Sequence, residues 1–405
     1  NIEKLSQVSI VPILNYFDIQ YYGYIYVGSN YQPLSVIFDT GSNILWVESQ
    51  NCTQCRNFTN KYDPDQSKSF THTGVGKNIT YAIGFVDGEV VQDKVWVNKQ
   101  IGVKMNFMTV TYENQLAGTI ADGVLGLGID KEGDNKNSLI YSLYEDNLIS
   151  APSFSFYLTE SKKESRLYIG DITENQYLKS VYDKIKYVKL NNNSHYWETK
   201  LESITTFNRH NASSTNYTFQ TTSKVIFDTG TSYLIIPAFD IIDLIPAITS
   251  KAVDNKCALT PNMQIVCKCI SPQNFDDIEL TIDGQKFIIR TDDIIQFYPT
   301  LEYQCRFEII VDIFMLDGWI LGDSVLRYTL LTFDMDKRTV GYIQDMDKLN
   351  DEDVLGNIKA KSKGYSLIDI ALWIAASLFV LTAGYFIYKY FHNQNEEPEY
   401  KQILR

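Results

Sequence analysis

Apolar residues in this chain gather in short runs rich in Val, Ile, Tyr and Phe, separated by Gly, Asn and Asp. Such runs fall at residues 24–27, 34–38, 44–47, 89–97, 166–169, 185–190, 224–227, 278–282, 286–290, 330–333 and 339–343, and this composition and punctuation predict strands. Helical spacing is confined to two short windows, 137–146 and 238–248. A mostly-β fold is expected. Residues 346–364 are polar and charge-rich, the composition of a flexible stalk. The run IALWIAASLFVLTAGYFIY at 370–388 then carries no charge. At about 1.5 Å per residue it is long enough to cross a hydrocarbon core of about 30 Å. Trp373, Tyr385 and Tyr388 suit the two interfaces. The rival is a buried core helix, but no globular sequence follows to bury it. A transmembrane helix is expected over 365–388, with a cytosolic tail at 389–405.

The pattern also repeats on a larger scale. Phe38-Asp39-Thr40-Gly41-Ser42 follows the apolar pair Val36-Ile37, and Phe227-Asp228-Thr229-Gly230-Thr231 follows Val225-Ile226. Further on, each half has an apolar-apolar-Gly element: Val124-Leu125-Gly126 in the first and Ile320-Leu321-Gly322 in the second. A lone Asp-Thr-Gly means little, because Asp and Gly populate turns. Two copies in the same setting predict two related lobes, here 12–190 and 191–345, with 1–11 a leader or pro-segment remnant.

Composition narrows the class. The 405 residues are 44% apolar and 21% charged, figures of a folded globular chain. Net charge is −13, from 36 basic and 49 acidic residues, and no dense basic run exists; a nucleic-acid partner is set aside. The 4 histidines (His72, His195, His210, His392) are too scattered for an HExxH zinc site, and no G-x-S-x-G is present for a serine triad. No metal or cofactor is expected.

Several features bear on compartment. The chain begins at Asn1 without a leader-like run, so a targeting segment is expected to have been removed or to lie outside this sequence. Glycan-acceptor sequons occur at Asn51, Asn57, Asn78, Asn192, Asn211 and Asn216, all before the apolar run. The 6 cysteines (Cys52, Cys55, Cys257, Cys267, Cys269, Cys305) form an even set in this sequon-rich context. That favours disulfides over zinc, although Cys52-x2-Cys55 and Cys267-x-Cys269 also have ligand-like spacing. Lysines flank the apolar run on both sides and do not orient it. The sequons and cysteines do: they predict a single-pass type I protein with a lumenal or extracellular N-terminal part. In the tail, Tyr400-Lys401-Gln402-Ile403 and the overlapping Glu399-x3-Ile403-Leu404 match adaptor-read sorting signals.

The repeated loop has a chemical logic. The apolar strand buries the backbone leading to the Asp, and Gly permits a tight turn with close approach of another backbone. Ser42 or Thr231 offers a hydroxyl to the carboxylate. Two such loops related by a pseudo-two-fold would set Asp39 beside Asp228. Two carboxyls in contact do not both ionise cheaply, so one keeps a proton and the pair titrates as a unit. A base and an acid then face one water.

These residues resemble the pepsin family of bilobal aspartic proteases, which also supply the general example of a shared-proton dyad. Around the two loops, Asn15-Tyr16-Phe17-Asp18, Ile79-Thr80-Tyr81 with Gly84, Gly88 and Asp93, Asp122-Gly123-Val124-Leu125-Gly126, His195-Tyr196-Trp197-Glu198 and Ile320-Leu321-Gly322-Asp323 match the family's landmarks, and the likeness covers about residues 11–343. It implies a mostly-β fold of two pseudo-symmetric lobes around a central cleft. It implies a monomeric endopeptidase that cleaves polypeptide substrates between bulky apolar residues at acidic pH and binds statine-type inhibitors. Asp39 and Asp228 would activate the attacking water. Thr40, Gly41, Ser42, Thr229, Gly230 and Thr231 would support them, with Ser42 and Thr231 on the outer carboxylate oxygens and the Gly41 and Gly230 amides on the inner ones. Tyr81 would close a flap over substrate, hydrogen-bonded to Trp46. Ile37 and Val124 would join Tyr81 in a pocket before the scissile bond, and Ile226 would wall the pocket after it. The likeness pairs Cys269 with Cys305, which leaves Cys257 for Cys267 and Cys52 for Cys55.

Two positions depart from the family pattern. Ala82 replaces a flap glycine and is expected to stiffen the flap slightly. Glu48 replaces a common proline, with little effect expected. No recognisable pro-segment stands in the sequence beyond 1–11. A rival reading, a catalytically inactive pepsin-fold receptor or adhesin, is opposed by the intact Asp-Thr-Gly loops and flap tyrosine.

Overall fold

The computed structural model of the chain describes residues 8–344, apart from 82–83, 115, 117, 130–136, 161–163, 176–177, 193, 209–213, 216–222, 250–255, 300–303 and 314–316. Ala82, Asn211, Asn216, the 1–7 end, the stalk, the apolar run and the tail with its sorting motif lie outside the described residues. Among the described residues, no helix is long and apolar enough to cross a membrane.

The architecture is mostly β and bilobal, built on two large sheets. Strand after strand shows the period-2 pattern of a sheet packed on a core. In Gln20–Val27, for example, Tyr21, Ile25 and Val27 point inward while Tyr24 is exposed. Helices are short: Leu139–Glu145, with Ser138 accepting from the Tyr141 amide as its cap, and Ala238–Thr249. Both fall in the two windows of helical spacing.

The first sheet has 13 strands among the described residues. At one edge lies the hairpin Thr71–Tyr81 with Gly84–Trp96, joined to Gly102–Asn114. At the other edge lie Lys186–Lys189, Thr339–Ile343 and Leu330–Asp334, followed by Ser153–Tyr157, Ser165–Ile169 and Ser9–Tyr16. The last strands of the described chain therefore complete a sheet begun by the first ones. The second sheet, of 11 strands, runs through the later half.

Both halves present the Asp-Thr-Gly loop in the same setting. Gln32–Asp39 pairs in parallel with Gly123–Gly126, and Lys224–Phe227 with Trp319–Leu321. On its way out of the loop, each chain returns beside the same partner, as Leu45–Glu48 in the first half and Leu234–Pro237 in the second. The repeat seen in the sequence is thus a repeated strand–loop–strand crossing.

An aromatic core lies where the first sheet takes up the late strands. Phe154 stacks on Phe333 with ring centroids 4.9 Å apart, and Trp197 meets Phe333 edge-on at 4.9 Å. The Trp197 indole N–H donates to the Leu127 carbonyl at 2.9 Å, so the buried ring keeps a partner for its polar atom. Leu127 follows the first apolar-apolar-Gly element, and Trp197 precedes Glu198–Phe207. This packing fixes the two halves of the repeat against each other.

Candidate active site

The two loops meet through crossed hydrogen bonds. The Thr40 amide donates to Thr229 Oγ1 at 3.2 Å, and the Thr229 amide to Thr40 Oγ1 at 2.9 Å. The hydroxyls donate onward, Thr40 to the Phe227 carbonyl at 2.8 Å and Thr229 to the Phe38 carbonyl at 2.6 Å. Each buried threonine thus satisfies the backbone of the opposite loop. The pattern is symmetric, so the carboxyls beside these residues are set face to face.

Each carboxyl is cradled alike. The Gly41 amide donates to Asp39 Oδ1 at 2.8 Å and the Ser42 hydroxyl to Asp39 Oδ2 at 2.5 Å. The Gly230 amide donates to Asp228 Oδ1 at 2.8 Å and the Thr231 hydroxyl to Asp228 Oδ2 at 2.7 Å. The glycines are needed for space. A Cβ on Gly41 would stand 2.6 Å from Asp228 Oδ2, and one on Gly230 would run into the Asp39 carboxyl. A side chain at either place would push the acids apart.

Electrostatics follow from this packing. Asp39 is only 7% exposed. Burial, then the neighbouring Asp228, push its carboxyl up to about 7, against the opposing pull of the Ser42 and Gly41 hydrogen bonds.

The hairpin lies over this pair. Trp46 Nε1 donates to the Tyr81 hydroxyl at 2.6 Å. Tyr81 sits near enough to Asp39 for that charge, after burial, to raise its phenol further. Trp46, Val124, Ile37 and Tyr81 belong to one small apolar cluster, with Ile44, Ile79, Val86, Met108 and the Cys52 and Cys55 side chains. Ile37 and Val124 are direct strand neighbours. Ile226 is not part of this cluster; it stands in the second sheet, opposite Ile320.

The cysteines pair as Cys52–Cys55, Cys257–Cys267 and Cys269–Cys305, with Cα separations of 5.6, 4.0 and 5.7 Å. Asn51, Asn57, Asn78 and Asn192 are exposed. On the flap, Asn78 and Thr80 face outward while Ile79 packs into the cluster below.

One expectation is overturned. Glu48 is fully buried, and its carboxylate meets the Arg56 guanidinium at 2.6 Å and the Thr59 hydroxyl at 2.5 Å. A buried charged group with dedicated partners is not a neutral replacement for proline.

Asp323 and Asp122 stand in the sequence landmarks without an assigned role. Asp323 is 2% exposed, and its Oδ1 has no hydrogen-bond partner. Burial and the nearby Asp228 raise its carboxyl well above the ordinary range, with Asp39 adding to the effect and Arg327 opposing it. Asp122 accepts from the Ser35 amide and hydroxyl, both at 2.8 Å, and from the Asn60 amide at 2.7 Å. Both acids flank the apolar-apolar-Gly elements, and that position is the signal that could have found them.

Paired carboxyls held by related loops beneath a hairpin are the equipment of a general acid–base hydrolase. The chain belongs to the eukaryotic aspartyl protease family, whose profile matches residues 20–344. It is 28% identical over 337 residues to vacuolar protease A of Neurospora crassa, covering 82% of this chain and 80% of that protein. It is 27% identical over 352 residues to cathepsin D of Dictyostelium discoideum, with 84% and 87% covered. Against pepsin A of Suncus murinus it is 29% identical over 350 residues, with 84% of each covered. The protein is an aspartic endopeptidase.

Proposed function

We propose that Asp39 and Asp228 are the catalytic pair and hydrolyse peptide bonds between bulky apolar residues at acidic pH. The observation that supports this reading is the crossed threonine network, which holds the two cradled carboxyls face to face. In the working state Asp39 carries the proton and Asp228 is the base. A water between them gives a proton to Asp228 as its oxygen bonds the scissile carbonyl carbon, and Asp39 protonates the carbonyl oxygen. The resulting gem-diol collapses: one hydroxyl returns its proton to Asp39, Asp228 protonates the amide nitrogen, and the C–N bond breaks. Protons balance over the cycle. Thr40, Gly41, Ser42, Thr229, Gly230 and Thr231 keep the pair in place.

Substrate lies extended under the flap. Ile37, Tyr81 and Val124, with Trp46 behind, form the apolar wall before the scissile bond, and Ile226 serves after it. We further assign 12–190 and 191–345 as catalytic lobes and 365–388 as a single-pass anchor that leaves the lobes lumenal or extracellular. The relatives named vacuolar support an acidic compartment of that kind. The exposed sequons are glycan acceptors, the protein works as a monomer, and the tail motif Tyr400-Lys401-Gln402-Ile403 meets sorting adaptors.

Cleavage of a peptide library by the detergent-solubilised full chain, profiled from pH 3 to 8, tests the reading. Cuts flanked by large apolar residues, strongest at about pH 3–5 and blocked by a statine peptide, are expected. No cleavage at any pH, or cuts indifferent to the flanking residues, would overturn it.

A further inference from the structure

Beside the apolar cluster under the flap, the described residues hold a buried ionic knot that the catalytic reading does not use. Arg56 leaves the small Cys52–Cys55 loop and is 8% exposed. Its guanidinium reaches three segments. Nη2 donates to Glu48 Oε1 at 2.6 Å, Nε to Glu113 Oε1 at 3.0 Å, and Nη1 to the Thr119 carbonyl. The side chain of Glu48 is fully buried and that of Glu113 is 6% exposed.

The position of these partners matters. Glu48 ends the strand Leu45–Glu48, two residues after Trp46 and therefore on the same face as the indole that holds Tyr81. Glu113 lies in Gly102–Asn114 directly opposite Val86, which stands near the turn of the flap hairpin, opposite Ile79. Thr119 lies shortly after Leu116, which packs in the cluster beneath the flap. One planar fork thus ties the Trp46 strand to the strand that supports the flap hairpin near its turn, fixing the directions as well as the distances of the segments it joins.

We propose that Arg56 is a positioning residue for substrate binding: by clamping Glu48 to Glu113 it sets Trp46 under the flap tyrosine and so holds the flap at its working height. This deepens the aspartic-protease reading and rests on it. The clamp makes no contact with the reacting atoms, so its loss lowers affinity for extended ligands and leaves the chemistry of the dyad intact.

Removing Arg56 alone would strand two buried carboxylates and threaten folding. Two other variants keep the test decisive. The triple change Glu48→Leu, Arg56→Met and Glu113→Leu replaces the knot with apolar volume, an exchange that often preserves stability. Arg56→Lys keeps the charge and removes the fork. Each is compared with the unmodified chain by thermal unfolding, by kcat and KM on one apolar peptide, and by the Kd of a statine peptide. KM and Kd are expected to rise about tenfold, the scale of one lost hydrogen-bonded contact, with kcat within about twofold. A triple variant that is as stable as the unmodified chain and keeps its KM and Kd would overturn the proposal, showing the knot to be structural only. If the triple variant does not fold, Arg56→Lys with unchanged KM and Kd overturns it alone. An unmodified chain that cleaves nothing would instead defeat the protease reading.

Discussion

Asp39→Asn isolates the proton that the dyad holds. In the unfolded chain the carboxyl titrates near 3.8, and in the fold burial and Asp228 move it to about 7. Below the lower value both states are protonated and the group has no effect on stability. Between the two, the native state keeps a proton that the unfolded state releases, so stability falls as pH rises, and the whole cost is felt above about 7. At about 1.36 kcal/mol per pH unit, the displacement is worth about 4 kcal/mol. Asparagine does not titrate and removes this slope. Asp323, also raised, remains in both proteins and slopes both curves in the same direction, less steeply in the variant because Asp39 adds to its shift. The quantity to measure is therefore the difference between the variant and the unmodified chain in urea unfolding at intervals from pH 4 to 7.5. The variant is expected to gain up to about 4 kcal/mol relative to the parent across that range. Asparagine also lacks the acid proton, so peptide cleavage at pH 4 should fall by at least about 10³-fold. Parallel stability curves would refute the argument that the fold holds Asp39 protonated, and retained turnover would refute its part in the chemistry.

Other outcomes follow from the same geometry. Thr229→Val deletes the donor to the Phe38 carbonyl and the acceptor for the Thr40 amide; unfolding should show a loss of about 2–5 kcal/mol, since two buried backbone groups lose partners. Gly41→Ala places a methyl against Asp228, and kcat/KM should fall about 10²-fold as the pair spreads. Replacing Cys257 and Cys267 together by serine opens a link of sequence separation 10; it should cost about 2–3 kcal/mol in thermal unfolding and leave kcat/KM at 25 °C unchanged. A loss of activity at that temperature would tie this disulfide to the site.

The catalytic loops were legible because their information is local: an apolar strand, a turn and a hydroxyl residue, written twice. The strands at 34–38 and 224–227 were legible for the same reason. Thr71–Tyr81 was weaker as a strand, since it carries Gly74, Gly76 and Lys77 and is mostly exposed; its pairing with Gly84–Trp96 accounts for it. Gln304–Asp312 was obscured by Arg306, Glu308 and Asp312 within it. Glu308 is buried there because Arg327 reaches it at 2.7 Å from a distant segment. Glu48 was misjudged for the same physical reason: the cost of a buried charge depends on its partners, and neither Arg56 nor Glu113 is near it in a way that local spacing reveals.

The first sheet has a consequence for synthesis. Leu330–Asp334 is paired with Ser153–Tyr157, and Thr339–Ile343 lies beyond it. A ribosome making this polypeptide delivers those segments long after Ser153–Tyr157, so the earlier half must wait with an open sheet edge until they emerge. A nascent chain halted after the first catalytic loop and its hairpin would lack its closing strands, which arrive only once synthesis has passed Ile343.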